Sequence, residues 1–237
     1  MGVNTIGNIG KTYQRSFLRV DMSTDALQNL IDAEQNIRQL ILPTRVDEFG
    51  AYSDEELIRI DAYILFSHAE VETYLEQLAT KIANDTEANL RAGKINRTCA
   101  ALVTYYRPER ENVPSINKIP ANDVITTISF KCLQKHLTTI SGNNGIKEDS
   151  LCNLLLPLGF DFSNVDNLLI AELESLGSAR GRIAHMSYAN PVRRVITEPS
   201  VASGRMDALL TLLHAFDTEF VQQFPPIAAP QAAMPTV

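Results

Sequence analysis

The sequence contains no tryptophan, and its aromatic content is only 7%. Proteins that hold single-stranded nucleic acid by stacking rely on aromatic side chains, so this scarcity argues against such a platform. Positive charge is also scarce, because 21 Lys and Arg residues stand against 28 Asp and Glu residues, a net charge of −7. Long-range attraction to a polyanion is therefore missing, and any nucleic acid would have to bind to a local basic patch.

Cysteines and long apolar runs are sparse as well. Cys99, Cys132 and Cys152 form no CxxC pair, which is typical of reduced thiols in a cytoplasmic protein and not of a disulfide framework or a zinc site. The chain has no apolar run of about 18 residues, the length that a membrane-spanning helix needs. We therefore expect a cytoplasmic protein that uses no membrane, metal or cofactor.

What the sequence does contain is helical periodicity in an ordinary globular composition of 237 residues, 45% of them hydrophobic. The β-branched content of 122–141 also fits a strand, but its length and its Asn122–Asp123 start favour a helix. With no alternating strand series, the pattern predicts an all-α bundle. The predicted helices cover 23–42, 53–85 after a capping box at Ser53 and Glu56, roughly 85–106, 122–141, a short piece within 142–161, 163–187 and 203–224.

Three segments are expected along the chain. Residues 1–52 form an N-terminal extension with one helix, and residues 53–224 form the main helical domain. Residues 225–237 are rich in Pro and Ala, a composition typical of a disordered tail.

The stretch GSARGRIAHMSYANP, residues 177–191, carries the candidate chemistry. Arg180 and His185 are five positions apart, which places them about 140° apart around an ideal helix. They can serve one small site if the helix ends near His185 or if a second copy of the helix completes a composite cleft. Pro191 favours an early end, because the residue before a proline avoids the α region. The alternative is that the pair has no function, and that both cations lie at a helix C-terminus because the macrodipole favours positive charge there.

The motif and two other blocks, HAEVETYLEQLA and NNGIKEDSLCNLLLPLGFD, together resemble the HEPN superfamily, and most closely its RiboL-PSP-HEPN-like branch. The resemblance covers roughly residues 55–190, with the blocks in the expected order. Arg180 and His185 match the superfamily's Arg, its four to six intervening residues and its His, and Ala184 fits the position before the His. The residue after the Arg is often polar in the family, and here it is Gly181.

The resemblance implies a metal-independent endoribonuclease that works as a homodimer through the motif helix. Imidazole groups titrate near neutrality, so His185 suits proton transfer at the 2′-hydroxyl or the leaving oxygen. Arg180 suits the stabilisation of charge on the phosphoryl group. The expected products are a 2′,3′-cyclic phosphate and a 5′-hydroxyl. Family context further implies a toxin or anti-phage effector acting on RNA, with tRNA and mRNA as candidates and an antitoxin or sensor subunit as partner.

Supporting roles fall to residues around the motif. Glu72 matches an acidic position that orients the motif Arg in this branch, and Arg182 and Ser187 are candidate neighbours of the site. Arg193 and Arg194 form the best local basic patch for RNA, and Lys131 and Lys135 are possible additions. For each, the alternative is an ordinary solvated side chain. His68 and Glu72 are an i, i+4 pair that we interpret as a surface pair and not as a metal site, because no third ligand accompanies them.

Two rival functions remain at the level of the sequence. One is a non-catalytic HEPN module that binds RNA or assembles a defence complex, a reading that Gly181 and the acidic net charge favour. The other is a purely structural dimerisation domain.

Overall fold

The computed structural model describes residues 23–45, 51–107, 124–185 and 197–225. These ranges contain helices and no strand, which confirms the all-α prediction. A single 3₁₀ turn at Leu156–Leu158 follows the fifth helix. The seven α-helices of the described ranges are α1 (Asp25–Ile41), α2 (Asp54–Arg91), α3 (Arg97–Tyr106), α4 (Val124–Ser141), α5 (Glu148–Leu155), α6 (Asn167–Ala184) and α7 (Pro199–Gln223).

Helix α2 is the central element of the bundle and contacts α1, α4, α5, α6 and α7. It begins with the predicted capping box, in which Ser53 and Glu56 each satisfy a backbone N–H of the other. Its 38 residues span about 57 Å at the usual helical rise. Buried side chains recur every three to four residues along it, from Ile60 through Val71 and Leu78 to Leu90, so one continuous stripe of α2 faces the core.

The predicted boundary near residue 85 is wrong, because α2 continues to Arg91 and the next helix starts only at Arg97. Thr86 and Leu90 are buried in the core, so tertiary packing carries the helix through the weak helix formers at positions 84–86. The helix then stops at Gly93, which adopts a positive φ of 72°. Gly93 N–H donates to the carbonyl of Leu90, and Lys94 N–H donates to the carbonyl of Asn89. These two hydrogen bonds together are those of a Schellman motif.

Residues 124–141 form a helix as predicted, despite their β-branched content. Its buried residues, Ser129, Cys132, Leu133, His136 and Ile140, follow the helical period. His136 is fully buried, and its Nε2 lies 3.0 Å from the carbonyl oxygen of Leu154. That carbonyl can only accept, so Nε2 carries the proton and Nδ1 accepts from the Tyr106 hydroxyl at 2.9 Å. Burial lowers the pKa of His136 to about 4, which keeps this structural histidine neutral.

A buried carboxylate ties α1, α2 and α7 together. Asp217 on α7 is completely buried and accepts hydrogen bonds from the backbone N–H and the hydroxyl of Thr24 and from the hydroxyl of Tyr74. Thr24 is also the N-cap of α1, where its side chain accepts from Leu27 N–H. The first helix therefore shares the core of the helices that follow it.

Helix α6 packs against α2, α5 and α7, and this packing sets the position of the candidate motif. Leu169 and Leu173 are buried in the core near its start. At Gly177 an added Cβ would lie 2.9 Å from Cγ of Lys147, so the glycine allows this close approach. The Lys147 ammonium donates to the Ser178 hydroxyl at 3.0 Å. No described helix combines the length and the hydropathy that crossing a membrane requires.

Candidate functional site

The motif helix ends near His185, as one of the two sequence alternatives required, although its bounds are narrower than the predicted 163–187. Helix α6 terminates at Ala184, and His185 is its C-cap residue with φ −101° and ψ 3°. Its backbone N–H donates to the carbonyl of Gly181 at 3.2 Å. Arg180 and His185 are both exposed in the last turns of α6. Because His185 is exposed at this C-cap position, solvent or a ligand can reach its imidazole.

Arg180 lies within electrostatic range of two residues on α2. Burial, and to a smaller extent the positive charge of Arg180, lower the pKa of His68 to about 4. Burial and the neighbouring Glu76 raise the pKa of Glu72, while Arg180 opposes that rise. The positive charge of Arg180 on α6 therefore acts on the pKa of both His68 and Glu72 of α2.

The interpretation of His68 and Glu72 as a surface pair is wrong. The His68 side chain is buried at 4% exposure, and its Nδ1 lies 3.9 Å from Oε2 of Glu72. With a pKa of about 4, His68 is neutral at pH 7, so this contact is not an ion pair there. The other oxygen of Glu72, Oε1, is buried without a hydrogen-bond partner. The burial of His68 comes from the helices packed on α2, which an i, i+4 pattern within one helix does not reveal.

Glu72 and Arg180 make no hydrogen bond or ion pair with each other in the described part of the chain. Nor does any hydrogen bond join Arg180 to His185 within that part. Among the described residues, then, no carboxylate pairs with the guanidinium group of Arg180. With respect to those residues its donors are available to an external anion.

Arg182 is exposed and lines a cleft between α2, α6 and α7. The same cleft is lined by Arg205 of α7, which belongs to no sequence motif. No local signal could have identified Arg205, because only the packing of α7 against α6 brings it beside Arg182. Lys135 lies instead on α4, with its ammonium 5.1 Å from the centre of the Tyr106 ring. Ser187, Arg193 and Arg194 lie outside the described residues.

Gly181 is helical and has open space around it, since nothing would lie within 4 Å of an added Cβ. We expect Gly181→Ala to raise the free energy of unfolding by about 0.5–1 kcal/mol, because alanine restricts the unfolded chain without a clash here. Urea unfolding of both proteins measures the difference. Gly159→Ala is the matched control and should be destabilising, because Gly159 has a φ of 86° and an added Cβ would lie 3.1 Å from Ala101. A loss of stability in Gly181→Ala would contradict the open site.

Metal ligands do not converge in the described ranges, where no three His, Cys, Asp or Glu side chains are grouped to hold an ion. Cys99 and Cys132 are buried free thiols, and Cys152 is a half-buried one.

The fold and the site define a class of protein: a helical bundle in which a helix ending in an exposed Arg and His packs on a long central helix. The family model that matches this chain is RiboL-PSP-HEPN, over residues 25–222. The chain belongs to the RiboL-PSP-HEPN family and so to the HEPN superfamily, which points to a ribonuclease or RNA-binding role. No curated protein and no solved structure is significantly similar to it.

Proposed function

We propose that this protein is a metal-independent endoribonuclease whose catalytic residues are Arg180 and His185. The observation that supports this most directly is the pair's position in a RiboL-PSP-HEPN chain. Both side chains are exposed, and His185 is the residue that ends α6. Both groups can therefore reach a polymer that lies across the end of the helix.

The reaction needs only groups that the RNA and the two residues supply. The 2′-oxygen attacks the adjacent phosphorus while the neutral imidazole of His185 acts as a base and takes the proton of the 2′-hydroxyl. The bond from phosphorus to the 5′-oxygen breaks, and that oxygen receives a proton from an imidazolium, the protonated form of His185, as it leaves. Arg180 stabilises the negative charge on the phosphoryl oxygens, which is greatest in the transition state. The products are a 2′,3′-cyclic phosphate and a 5′-hydroxyl.

The surrounding residues have supporting roles in this proposal. Glu72 and neutral His68 lie within electrostatic range of Arg180 and set the local charge around its guanidinium group. Arg182 extends positive charge along the same helix end. Ser187, Arg193 and Arg194 are proposed to continue the RNA-binding surface beyond His185.

We further propose a homodimer through the motif helix. On an ideal helix Arg180 and His185 would lie about 140° apart, so one copy of α6 would direct the two side chains differently. A second copy of α6 packed alongside would bring an Arg from one chain towards a His from the other. The biological role proposed is that of a cytoplasmic toxin or anti-phage effector, kept inactive or triggered by an antitoxin or sensor subunit.

A second candidate function is non-catalytic RNA binding or the assembly of a defence complex. Two observations favour it: Gly181 stands where the family often has a polar residue, and the net charge of −7 gives no long-range attraction to RNA. In that case the cations at the end of α6 would hold RNA without cutting it.

The test uses the purified protein and a defined oligoribonucleotide in EDTA. We expect cleavage to yield a 2′,3′-cyclic phosphate and a 5′-hydroxyl, both identifiable by mass spectrometry. A 2′-deoxy sugar placed on the 5′ side of the cut should abolish cleavage at that bond and at no other, because it removes the nucleophile. Cleavage that persists at the deoxy position would refute the mechanism. Binding of RNA with no cleavage of either total RNA or the oligonucleotide would favour the second candidate.

A further inference from the structure

A pocket at the other end of α2 from its capping box lies between the last turns of α2, the start of α3 and the end of α7. The solvent-accessible volume of this α3 pocket is about 170 Å³, and an engineered cavity of about 150 Å³ is large enough to bind benzene. Thr86 of α2 lines the pocket and lies about 21 Å along that helix from Glu72. The pocket is therefore remote from the proposed catalytic residues, and a small organic molecule fits in it.

The N-terminus of α3 forms one wall of the α3 pocket. Asn96 is the N-cap residue, and its Oδ1 accepts from the backbone N–H of Cys99 at 3.0 Å. The backbone N–H groups of Arg97 and Thr98, the first two residues of the helix, donate to no described residue. Unpaired N–H groups at the start of a helix, together with the helix macrodipole, favour a negatively charged group there.

The side chains at the start of α3 add further donors. Thr98 lines the pocket and is 3% exposed, yet its hydroxyl makes no hydrogen bond with a described residue. The Nδ2 group of Asn96 is likewise unpaired among those residues. The guanidinium group of Arg97 lies over the Phe224 ring, 4.7 Å from its centre, and its Nη2 donates to the carbonyl of Gln223 at 3.1 Å. These two contacts fix the guanidinium beside the pocket while its other donors stay available to a carboxylate.

The opposite wall of the α3 pocket is largely apolar. Ile82 and Phe220 line it and are 4% and 1% exposed, and the half-buried ring of Phe224 continues the same surface. Asn89 also lines this side, and its side chain makes no hydrogen bond with a described residue. Thr86 is buried behind it, and its Oγ1 has no hydrogen-bond partner. An inorganic anion would leave the apolar wall in contact with water, whereas an organic anion would cover it.

The charges around the α3 pocket favour an anion. Lys81 and Asp85 both line it, but they pair with each other at 3.4 Å, so their charges offset. Asp161 does not line it, and no ion pair joins Asp161 to Arg97. The pKa of Asp161 is lowered mainly by its hydrogen bonds with Ser163 and only slightly by Arg97. Arg97 is therefore the charge that a ligand in this pocket meets.

We propose that the α3 pocket binds a small organic acid. The carboxylate lies at the N-terminus of α3, where the Thr98 hydroxyl, the free backbone N–H groups and Arg97 donate to it. The apolar part of the ligand packs on Ile82 and Phe220. A helix N-terminus, a buried unpaired hydroxyl and an apolar wall meet in one cavity, and a carboxylic acid with an apolar body satisfies all three.

Benzoate is the probe for this site, and benzamide is its matched control because it has nearly the same shape and no charge. We expect benzoate to bind the full chain with a dissociation constant on the order of 1 mM, as suits so small a ligand. Benzamide should bind at least about tenfold more weakly, because it makes no charge-assisted hydrogen bond. Titration of the ¹⁵N-labelled protein, followed by NMR, should move the amide signals of Arg97 and Thr98 and leave those of Gly181 and His185 in place.

Three results of this titration would overturn the proposal. One is equal binding of benzoate and benzamide, which would leave the charge without a role. Another is binding of inorganic phosphate as tight as that of benzoate, which would leave the apolar wall without a role. The third is a benzoate titration that moves the signals of the motif and not those of α3.

Substitution of Arg97 tests the cation. Arg97→Gln should weaken benzoate binding about tenfold, since one charge-assisted hydrogen bond is lost. Arg59→Gln is the matched control, because Arg59 also donates to the carbonyl of the last residue of a helix, Ile41 of α1, and lies about 40 Å along α2 from Thr86. It should change binding less than about twofold, since a remote charge is screened. Unchanged binding in Arg97→Gln would contradict the site.

Substitution of Thr98 separates ligand binding from a structural role. Thr98→Val removes the hydroxyl and keeps the branched shape, so it should weaken benzoate binding several-fold while the melting temperature stays level or rises. Thr98→Ser keeps the hydroxyl and should bind within about twofold of wild type. A lower melting temperature with unchanged benzoate binding in Thr98→Val would refute the assignment. None of these measurements involves RNA, so they stand or fall apart from the nuclease proposal.

Discussion

Replacement of His185 by alanine is expected to reduce RNA cleavage by about 10²- to 10⁴-fold, the usual contribution of a general acid or base. The residue is exposed at the end of α6, so the substitution removes the imidazole without disturbing the core. Single-turnover rates on a labelled oligoribonucleotide in EDTA measure the effect. His214→Ala is the matched control, because His214 is also an exposed histidine but lies on α7.

Arg180→Ala should lose cleavage by about 10²- to 10³-fold, since it removes a preorganised charge aimed at the phosphoryl oxygens. Arg180→Lys should recover little of that loss, because lysine lacks the planar fork. The double variant with His185→Ala should be scarcely worse than the poorer single variant if the two residues act as one unit. Rates within threefold of wild type in both single variants would show that the catalytic residues lie elsewhere.

Asp217→Ala is expected to lower the free energy of unfolding by about 3 kcal/mol, because it leaves buried donors without an acceptor. Asp217 is completely buried and receives three hydrogen bonds, two from Thr24 and one from Tyr74. Burial and the carboxylate raise the pKa of Tyr74 well above its usual range, so the stranded hydroxyl remains a donor. Urea unfolding followed by circular dichroism gives the free energy.

Asp207→Ala provides the comparison for Asp217→Ala, since both residues are aspartates on α7. The Asp207 carboxylate pairs with Arg38, but its side chain is 59% exposed. A pair of this kind contributes at most about 1 kcal/mol. If the two variants lose the same stability, the buried tether between α1, α2 and α7 contributes no more than a surface ion pair.

Most helix positions could be predicted from local signals. The capping box at Ser53 and Glu56 marks the start of α2, and the periodicity of 122–141 outweighs its β-branched content. The boundary near residue 85 could not be predicted, because the sequence between Asn84 and Thr86 is a poor helix former that only burial in the core keeps helical.

The candidate site shows the same division. An end of α6 close to His185 was predictable, since Pro191 keeps the residue before it out of the α region, but the sequence placed that end at residue 187 and not at Ala184. The burial of His68 could not be predicted, because an i, i+4 histidine–carboxylate pair has the same sequence pattern whether it lies on the surface or in the interior. The cleft could not be predicted from the sequence either, because Ser67 and Arg205 line it together only when α2 and α7 are packed in the fold.

The sequence by itself determined that the chain is helical and that Arg180 and His185 come at the end of a helix. Caps, prolines and the 3.6-residue period act between residues that are close along the chain, so they can be read without a fold. The tertiary structure alone decided that His68 is buried and neutral beside Arg180, and that Arg205 stands across a cleft from Arg182. Those relations depend on which helix faces pack together. The hydrophobic effect is non-directional, so the pattern within one helix does not specify which other helix it packs against.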